Sequence, residues 1–254
     1  MSESFKRAAE LLLATKRVAV ITGAGISRPS GIPDFRSPNG IWARIDPSKV
    51  ASLGAFRRDP DGFYRWLSGL LGPMLAACPN PAHLALAALE AAGRVGGVIT
   101  QNIDGLHQQA GSRRVFELHG NLRGATCVEC GRQVPVEPLL RSVRRGRAPR
   151  CSCGGAFKPD VVLFDEPLPQ GILWLAHKAL EECDLLLVVG TSLEVAPACD
   201  LPLVAAKHGA RIVIVNLEPT YLDEHADAVL HADVATAIPA LVAPLLAQVV
   251  QIAD

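Results

Sequence analysis

The amino-acid sequence predicts an α/β protein built on a doubly wound parallel sheet. Three observations lead there. The apolar runs at 17–22, 185–189 and 211–216 hardly alternate, as strands covered on both faces do. Helical patterns at about 82–92, 171–183, 197–208 and 236–250 fall between the strand candidates, giving a strand–helix rhythm. The first strand ends in the closely spaced Gly23 and Gly25, which is how a nucleotide-binding strand hands over to its phosphate loop.

In chain order, Phe5, Ala8, Ala9, Leu12 and Leu13 recur at helical spacing, so residues 5–15 read as an amphipathic helix leading into the strand at 17–22. The loop at 23–36 departs from the dinucleotide fingerprint. A third glycine is due three residues after Gly25, but Arg28 stands there and the next glycine is Gly31. Pro29 and Pro33 fix φ and remove two donors, so the segment is expected as a long, stiff polar loop that does not close quickly into a helix. It ends in Asp34, Phe35 and Arg36, able to bind phosphates and to cover the part of a cofactor that reacts. Further strands are expected at 97–100 and 115–118. Two insertions interrupt the rhythm: a helical module at 40–80 carrying Trp42, Phe56, Phe63, Tyr64 and Trp66, and a cysteine-bearing module at 121–159. Residues 1–39, 81–120 and 160–254 are left for the sheet domain.

Composition narrows the class. The 254 residues carry 25 basic and 25 acidic side chains, and 49% are hydrophobic, enough for a sizeable core and against wholesale nucleic-acid binding. No apolar run approaches the roughly 20 residues of a membrane span, and residues 1–7 lack a signal-peptide plan, so a cytoplasmic, membrane-free protein is expected. Seven cysteines, an odd count, argue against a disulfide framework. Four of them form two short pairs, Cys127-x-x-Cys130 and Cys151-x-Cys153, the spacing of a four-thiolate zinc ribbon with the second pair one residue short. With four cysteine ligands no position stays open for water, so the metal is expected to be structural.

The chemistry-bearing segments lie at strand ends, where α/β sheets place ligands. Gln101, Asn102, Ile103 and Asp104 follow one strand; Asn102 and Asp104 alone read equally well as caps of the next helix. His119-Gly120 ends another, and His119, with an ordinary pKa of about 6.5, is the candidate base. His107 is expected to shape its loop, while His83, His177, His208, His225 and His231 are expected on helix faces or the surface. Gly190, Thr191 and Ser192 suit ribose or phosphate contacts or an N-cap; Asn216, Leu217 and Glu218 suit an adenine or its ribose.

In this order the segments resemble the sirtuins, NAD-dependent protein-lysine deacylases. The resemblance runs from about residue 5 to 245 through GAGIS and SGIPDFR (23–36), GIW (40–42), TQNIDGLH (100–107), HG (119–120), both cysteine pairs, PDVVLFDEPLP (159–169), GTSLEVAP (190–197) and NLEPT (216–220). It implies a Rossmann-like NAD-binding domain with a zinc module. NAD would be consumed as co-substrate, yielding nicotinamide, O-acyl-ADP-ribose and free lysine. The family's mechanism has the acyl oxygen attack the nicotinamide ribose to give an alkylimidate, with the residue matching His119 as base. The resemblance further implies that Gly23, Ala24, Gly25, Ser27, Arg28, Asp34, Phe35 and Arg36 contact NAD, with Phe35 over the reactive sugar. Gln101, Asn102, Ile103 and Asp104 would line the nicotinamide side, Asn102 sharing the catalytic work. Gly190, Thr191, Ser192, Asn216, Leu217, Glu218 and Val234 would complete the cofactor site. The acylated peptide would add as a strand between Val161, Val162 and Phe164 on one side and Leu193, Glu194 and Val195 on the other.

The chain departs from the family where many members have FGE and it has Phe164-Asp165-Glu166, and at Arg28, which pairs either with phosphates or with Asp34. Two enzymatic alternatives are mono-ADP-ribosyl transfer to protein, which shares the cofactor pocket, and hydride transfer, which Arg28 disfavours by breaking the glycine fingerprint. A zinc-bearing nucleic-acid module acting through the arginines at 141–150 is the alternative of another class; with no interleaved aromatic residue, a solvated loop is the simpler reading. Sirtuins that favour succinyl or malonyl groups carry a Tyr and an Arg three residues apart after the GIW-like motif, and the stretch 43–56 has no Tyr. Neutral acyl groups such as acetyl are therefore expected to turn over faster than succinyl; equal or faster turnover of a succinyl-lysine peptide, compared side by side, contradicts this.

Overall fold

The computed structural model describes residues 2–37, 40–43 and 45–253, leaving aside the side chains of 249–253. Arg44, within the stretch read for acyl selectivity, lies outside the described residues. In chain order the elements are α1 (Glu3–Ala14), β1 (Val18–Thr22), α2 (Pro47–Val50), α3 (Leu53–Arg58), α4 (Pro60–Ala76), α5 (Pro81–Ala91), β2 (Val95–Thr100), α6 (Leu106–Gln109), β3 (Val115–Glu117), β4 (Gly120–Cys127), β5 (Gln133–Pro135), α7 (Leu140–Arg144), β6 (Phe157–Val161), α8 (Gln170–Glu181), β7 (Leu185–Val189), α9 (Leu201–Lys207), β8 (Arg211–Val215), β9 (Ala228–Leu230) and α10 (Val234–Ala253).

Six strands form one parallel sheet in the order β3-β2-β1-β7-β8-β9. Chain connection reverses between β1 and β7, which makes the crevice at their carboxyl ends the ligand position of such sheets. Every residue of β1 and β7 is buried, and alternate side chains feed two cores. Val18, Val20, Leu185, Leu187, Val213 and Val215 pack under α1, α5 and α10, whereas Ala19, Ile21, Leu186, Val188, Ile212 and Ile214 pack under α8 and α9. A strand sandwiched in this way has no polar face, which accounts for the unbroken apolar runs.

The second sheet, β5-β4-β6, is antiparallel and carries the cysteines. Its strands run across the boundaries expected at 120/121 and 159/160, since β4 starts at Gly120 and β6 ends at Val161. The two insertions also share a core. Phe56, Phe63, Tyr64, Leu67 and Leu71 of the helical insertion pack with Val143, Ala148, Ala156, Val161 and Leu163, and the Tyr64 hydroxyl donates to the Phe157 carbonyl at 2.8 Å. Val143 and Ala148 point inward while Arg141, Arg144, Arg145, Arg147 and Arg150 are exposed, the arrangement of a solvated arginine face.

One expectation is corrected. Residues Ala24–Ser30 do close into a helix, a 3₁₀ helix with Pro29 inside it. Pro29 has no N–H for the Ile26 carbonyl, as an i→i+3 pattern requires, and Asn80 Nδ2 takes that place at 2.7 Å. The Asn80 amide also donates to Ser30 Oγ at 2.9 Å while its Oδ1 caps α5 through the Ala82 N–H at 3.0 Å. His83, expected on a helix face or the surface, lies on the inward face of α5, fully buried, and packs edge-to-face on His107 at 4.9 Å between ring centroids. Burial lowers both imidazoles, to about 4 for His83 and about 3 for His107.

The sheet's glycines serve backbone contact. Gly25 N donates to the Gly190 carbonyl at 2.8 Å, and Gly190 N to Val215 O at 3.0 Å. A Cβ on Gly190 would lie 2.3 Å from Ile26 N, at a φ of +59° that disfavours side chains. Gly190→Ala is expected to cost about 2–4 kcal/mol through strain and overpacking and to lower the melting temperature by about 5–15 °C, which a thermal denaturation scan measures directly.

Candidate active site

A cavity of about 850 Å³ opens at the carboxyl ends of β1 and β7. Its lining includes Gly23, Ala24, Gly25, Ser27, Arg28, Asp34, Phe35 and Arg36 from the first loop; Gln101, Asn102, Ile103, Asp104 and His119 from the ends of β2 and β3; Gly190, Thr191 and Ser192 after β7; and Asn216, Leu217, Glu218 and Val234. Of the six peptide-facing residues expected, Val161, Val162, Phe164, Glu194 and Val195 line it too. Leu193 does not: it is 2% exposed and packs into the core under α8 and α9, at a φ of +54° that turns its side chain inward.

The polar groups hold one another in place. Asn102 Nδ2 donates to the Gly23 carbonyl at 3.0 Å and to Ser27 Oγ at 3.1 Å, and Ser27 Oγ donates to Asp104 Oδ2 at 2.7 Å. Asp104 Oδ1 accepts the Leu106 N–H at 2.9 Å, so this carboxyl both caps α6 and lines the cavity. Burial pushes its pKa up. Gln101 Nε2 reaches Thr191 Oγ1 at 3.0 Å. Beneath them, His107 Nε2 lies 3.0 Å from Thr22 Oγ1, which donates to Thr100 Oγ1 at 2.8 Å; the Asn102 N–H ends on that second hydroxyl at 3.1 Å.

His119 Nδ1 lies 2.9 Å from the Gln101 carbonyl. A carbonyl only accepts, so Nδ1 carries the proton and the neutral ring keeps Nε2 as its free acceptor. Burial holds the imidazole below the usual histidine pKa, partly offset by this hydrogen bond.

Charged pairs and aromatic rings close the rim. Arg28 Nε pairs with Asp34 Oδ2 at 3.2 Å, which settles its partner within the protein, and Arg36 Nη1 reaches Glu194 Oε2 at 3.6 Å. Asp34 is mostly buried but its partner Arg28 and both members of the other pair are about a third or more exposed, so each pair is worth about 1 kcal/mol. Trp42 N donates to the Phe35 carbonyl at 2.9 Å, bringing the Trp42 ring within 5.2 Å of Phe35, 5.6 Å of Trp66 and 6.2 Å of Phe164. Missing from the sequence expectation are Phe63, Trp66, Leu67, Leu70 and Met74, one stripe of α4 that lines the cavity. Their helical spacing is legible, yet it reads the same for a core stripe as for a cavity wall.

Hydrogen bonding narrows the strand addition expected at 161–164. Val162 N donates to the His119 carbonyl at 2.8 Å, Phe164 N to Ala51 O at 2.9 Å, and Leu53 N to Phe164 O at 3.0 Å. Val161 O and both backbone groups of Leu163 are engaged as well. Among the described residues, Val162 O in this segment and the N–H groups of Glu194 and Val195 opposite remain without partners.

The four cysteine sulfurs all lie within 4.8 Å of one another, with Cys127–Cys153 at 3.5 Å and Cys130–Cys151 at 3.7 Å. A zinc tetrahedron with 2.3 Å bonds has edges of about 3.8 Å, so the set fits one structural ion. Backbone N–H groups of Cys130 and Cys153 lower the thiol pKa values of Cys127 and Cys151 respectively, whereas Cys153, despite the Gly155 N–H, is pushed up by the neighbouring Cys130 and Cys127 sulfurs. The short second pair is accommodated by a turn in which Gly154 N donates to Cys151 O at 2.9 Å.

Known proteins share this architecture. A family model described as the Sir2 family matches residues 23–197. An NAD-dependent protein deacylase 2 of Archaeoglobus fulgidus is 45% identical over 244 residues, 95% of this chain and 96% of its own. An NAD-dependent protein deacetylase 1 of Geobacillus kaustophilus is 46% identical over 87% of this chain and 89% of its own. A solved Sir2 enzyme superposes with a TM-score of 0.92 at 43% identity, covering 99% of this chain and 100% of that one. A Sir2 enzyme bound to a myristoylated histone peptide superposes at 0.84 and 39% identity, covering 99% and 100%.

Removal of the metal by a chelator, or Cys127→Ala, is expected to unfold residues 121–159 and to lower activity indirectly, since a structural zinc contributes about 10–16 kcal/mol to a small module. Zinc analysis alongside circular dichroism and turnover checks this; full activity in zinc-free protein contradicts it.

Proposed function

The chain belongs to the Sir2 family, and from that membership and the cavity we propose that it removes acyl groups from protein lysines at the expense of NAD. The observation that carries the reading is His119: its Nδ1 is tied to a carbonyl, its Nε2 is left as acceptor, and it lines the same cavity as the first loop. NAD supplies the ADP-ribosyl group that receives the acyl.

The protein's own residues then divide the work. Gly23, Ala24, Gly25, Ser27 and Arg36, with Gly190, Thr191 and Ser192, surround the phosphates and riboses, while Asn216, Leu217, Glu218 and Val234 take the adenine side. Asn102, Ile103 and Asp104 form the nicotinamide side, and the Gly23–Asn102–Ser27–Asp104 hydrogen bonds preorganise it. Phe35, backed by Trp42, excludes water from the reacting sugar. His119 Nε2 accepts a proton from the ribose hydroxyls. On the peptide side, the unpartnered Val162 carbonyl accepts the amide N–H of the acylated lysine, and Glu194 and Val195 N–H groups bond the peptide backbone. The stripe of α4 gives the acyl chain an apolar wall, which supports acceptance of chains longer than acetyl.

Incubation with NAD and an acetyl-lysine peptide, following nicotinamide and peptide mass, is expected to show both products, and His119→Ala to lose at least about 100-fold in kcat. Nicotinamide without loss of acetyl would favour ADP-ribosyl transfer. Because the base works unprotonated and burial lowers its pKa, the acid limb of the kcat/KM profile is expected below about pH 6.5; a limb above that value contradicts the assignment.

A further inference from the structure

One lysine outside the cavity holds the peptide-facing strand in register. Lys158 lies in β6 opposite Thr126. Its side chain is 14% exposed, and that of its ion-pair partner Glu166 is 19% exposed. An ammonium has three N–H donors, and here each has an acceptor: Val161 O at 2.7 Å, Glu166 Oε2 at 3.0 Å and Pro159 O at 3.3 Å. Glu166 Oε2 also accepts the Leu163 N–H at 2.8 Å, and Glu166 N donates back to Leu163 O at 3.1 Å. Asp165 completes that turn at a φ of +70°, a conformation Asp tolerates better than most residues. Lys158 and Glu166 thereby occupy the Val161 carbonyl and both backbone groups of Leu163. With the Val162 N–H on His119 O, Val162 O is, among the described residues, the one backbone acceptor of 161–164 left without a partner.

We propose that Lys158, acting with Glu166, is a positioning residue for the acylated lysine: it decides which carbonyl of the groove strand faces the substrate. The inference rests on the deacylase reading above. In an extended strand a one-residue slip turns every group to the opposite side, so register here is a binding determinant. Removing the ammonium frees Val161 O as a competing acceptor and releases Glu166 from its ion pair.

The test is Lys158→Met, which keeps length and removes the donors, with Glu166→Gln, which retains an acceptor for Leu163 N–H, and Lys158→Arg, which keeps the charge but spreads its donors over a larger plane than the single nitrogen around which the three acceptors converge. Steady-state KM for an acetyl-lysine peptide, ADP-ribose affinity by calorimetry, zinc content and melting temperature are read together. Lys158→Met is expected to raise peptide KM about tenfold, equivalent to about 1.4 kcal/mol, and to leave ADP-ribose affinity within about twofold. Lys158→Arg is expected in between, and Glu166→Gln within about threefold of wild type. Should Lys158→Met fail to fold, Lys158→Arg carries the test. Unchanged peptide KM in a folded, zinc-loaded lysine variant, or equal losses of peptide and ADP-ribose binding, overturns the proposal. A wild-type protein inert toward the peptide is a separate outcome that overturns the deacylase reading itself.

Discussion

Gly25 donates its N–H to the carbonyl of Gly190, so two loops leaving adjacent parallel strands touch backbone to backbone where the chain connection reverses. A Cβ at Gly25 would approach Gly190 O to 2.7 Å, and one at Gly23 would approach Thr191 Cβ to the same distance. Side chains at these positions would separate the loops. Their closeness brings the Gly23 carbonyl to Asn102 and places Thr191 within reach of Gln101, whose own carbonyl orients His119. Imidazole, amide and carboxyl are thus built outward from one crossing of main chain.

Around that crossing, polar groups are fixed by partners distant in sequence. Asn80 satisfies the Ile26 carbonyl that Pro29 cannot reach, and the same side chain begins α5. Thr22 and Thr100, the last residues of β1 and β2, pass hydrogen bonding from His107 to the Asn102 N–H. Because His83 and His107 are buried and held neutral, the floor beneath the Asn102 loop carries no net charge near pH 7. The charged side chains at the rim are paired instead, Arg28 with Asp34 and Arg36 with Glu194.

Much of this was legible before any coordinates. Two-sided burial writes itself into the runs at 18–22 and 185–189, and four thiols in short pairs announce their metal, because both signals are local. The 3₁₀ helix at 24–30 was hidden by its remedy, Asn80, which lies 54 residues beyond Ile26. β9 is three residues long and too short to stand out. That the helix face of His83 turns inward was not legible, because a histidine's type does not report whether that face meets another ring. Lys158 resembled any strand lysine until the Val161, Pro159 and Glu166 oxygens came together around it.

The shared core of the two insertions reaches past architecture. Phe56, Phe63, Tyr64, Leu67 and Leu71 pack on Val143, Ala148 and Ala156 of the metal module, which would make α4 and that module one cooperative unit in the sense that amide exchange defines it. Their amides would open together and on one timescale, separately from the parallel sheet. The apolar wall of the cleft then inherits its rigidity from an ion with no part in the chemistry. Loss of one thiol would therefore loosen the α4 wall of the cavity as well as the metal site.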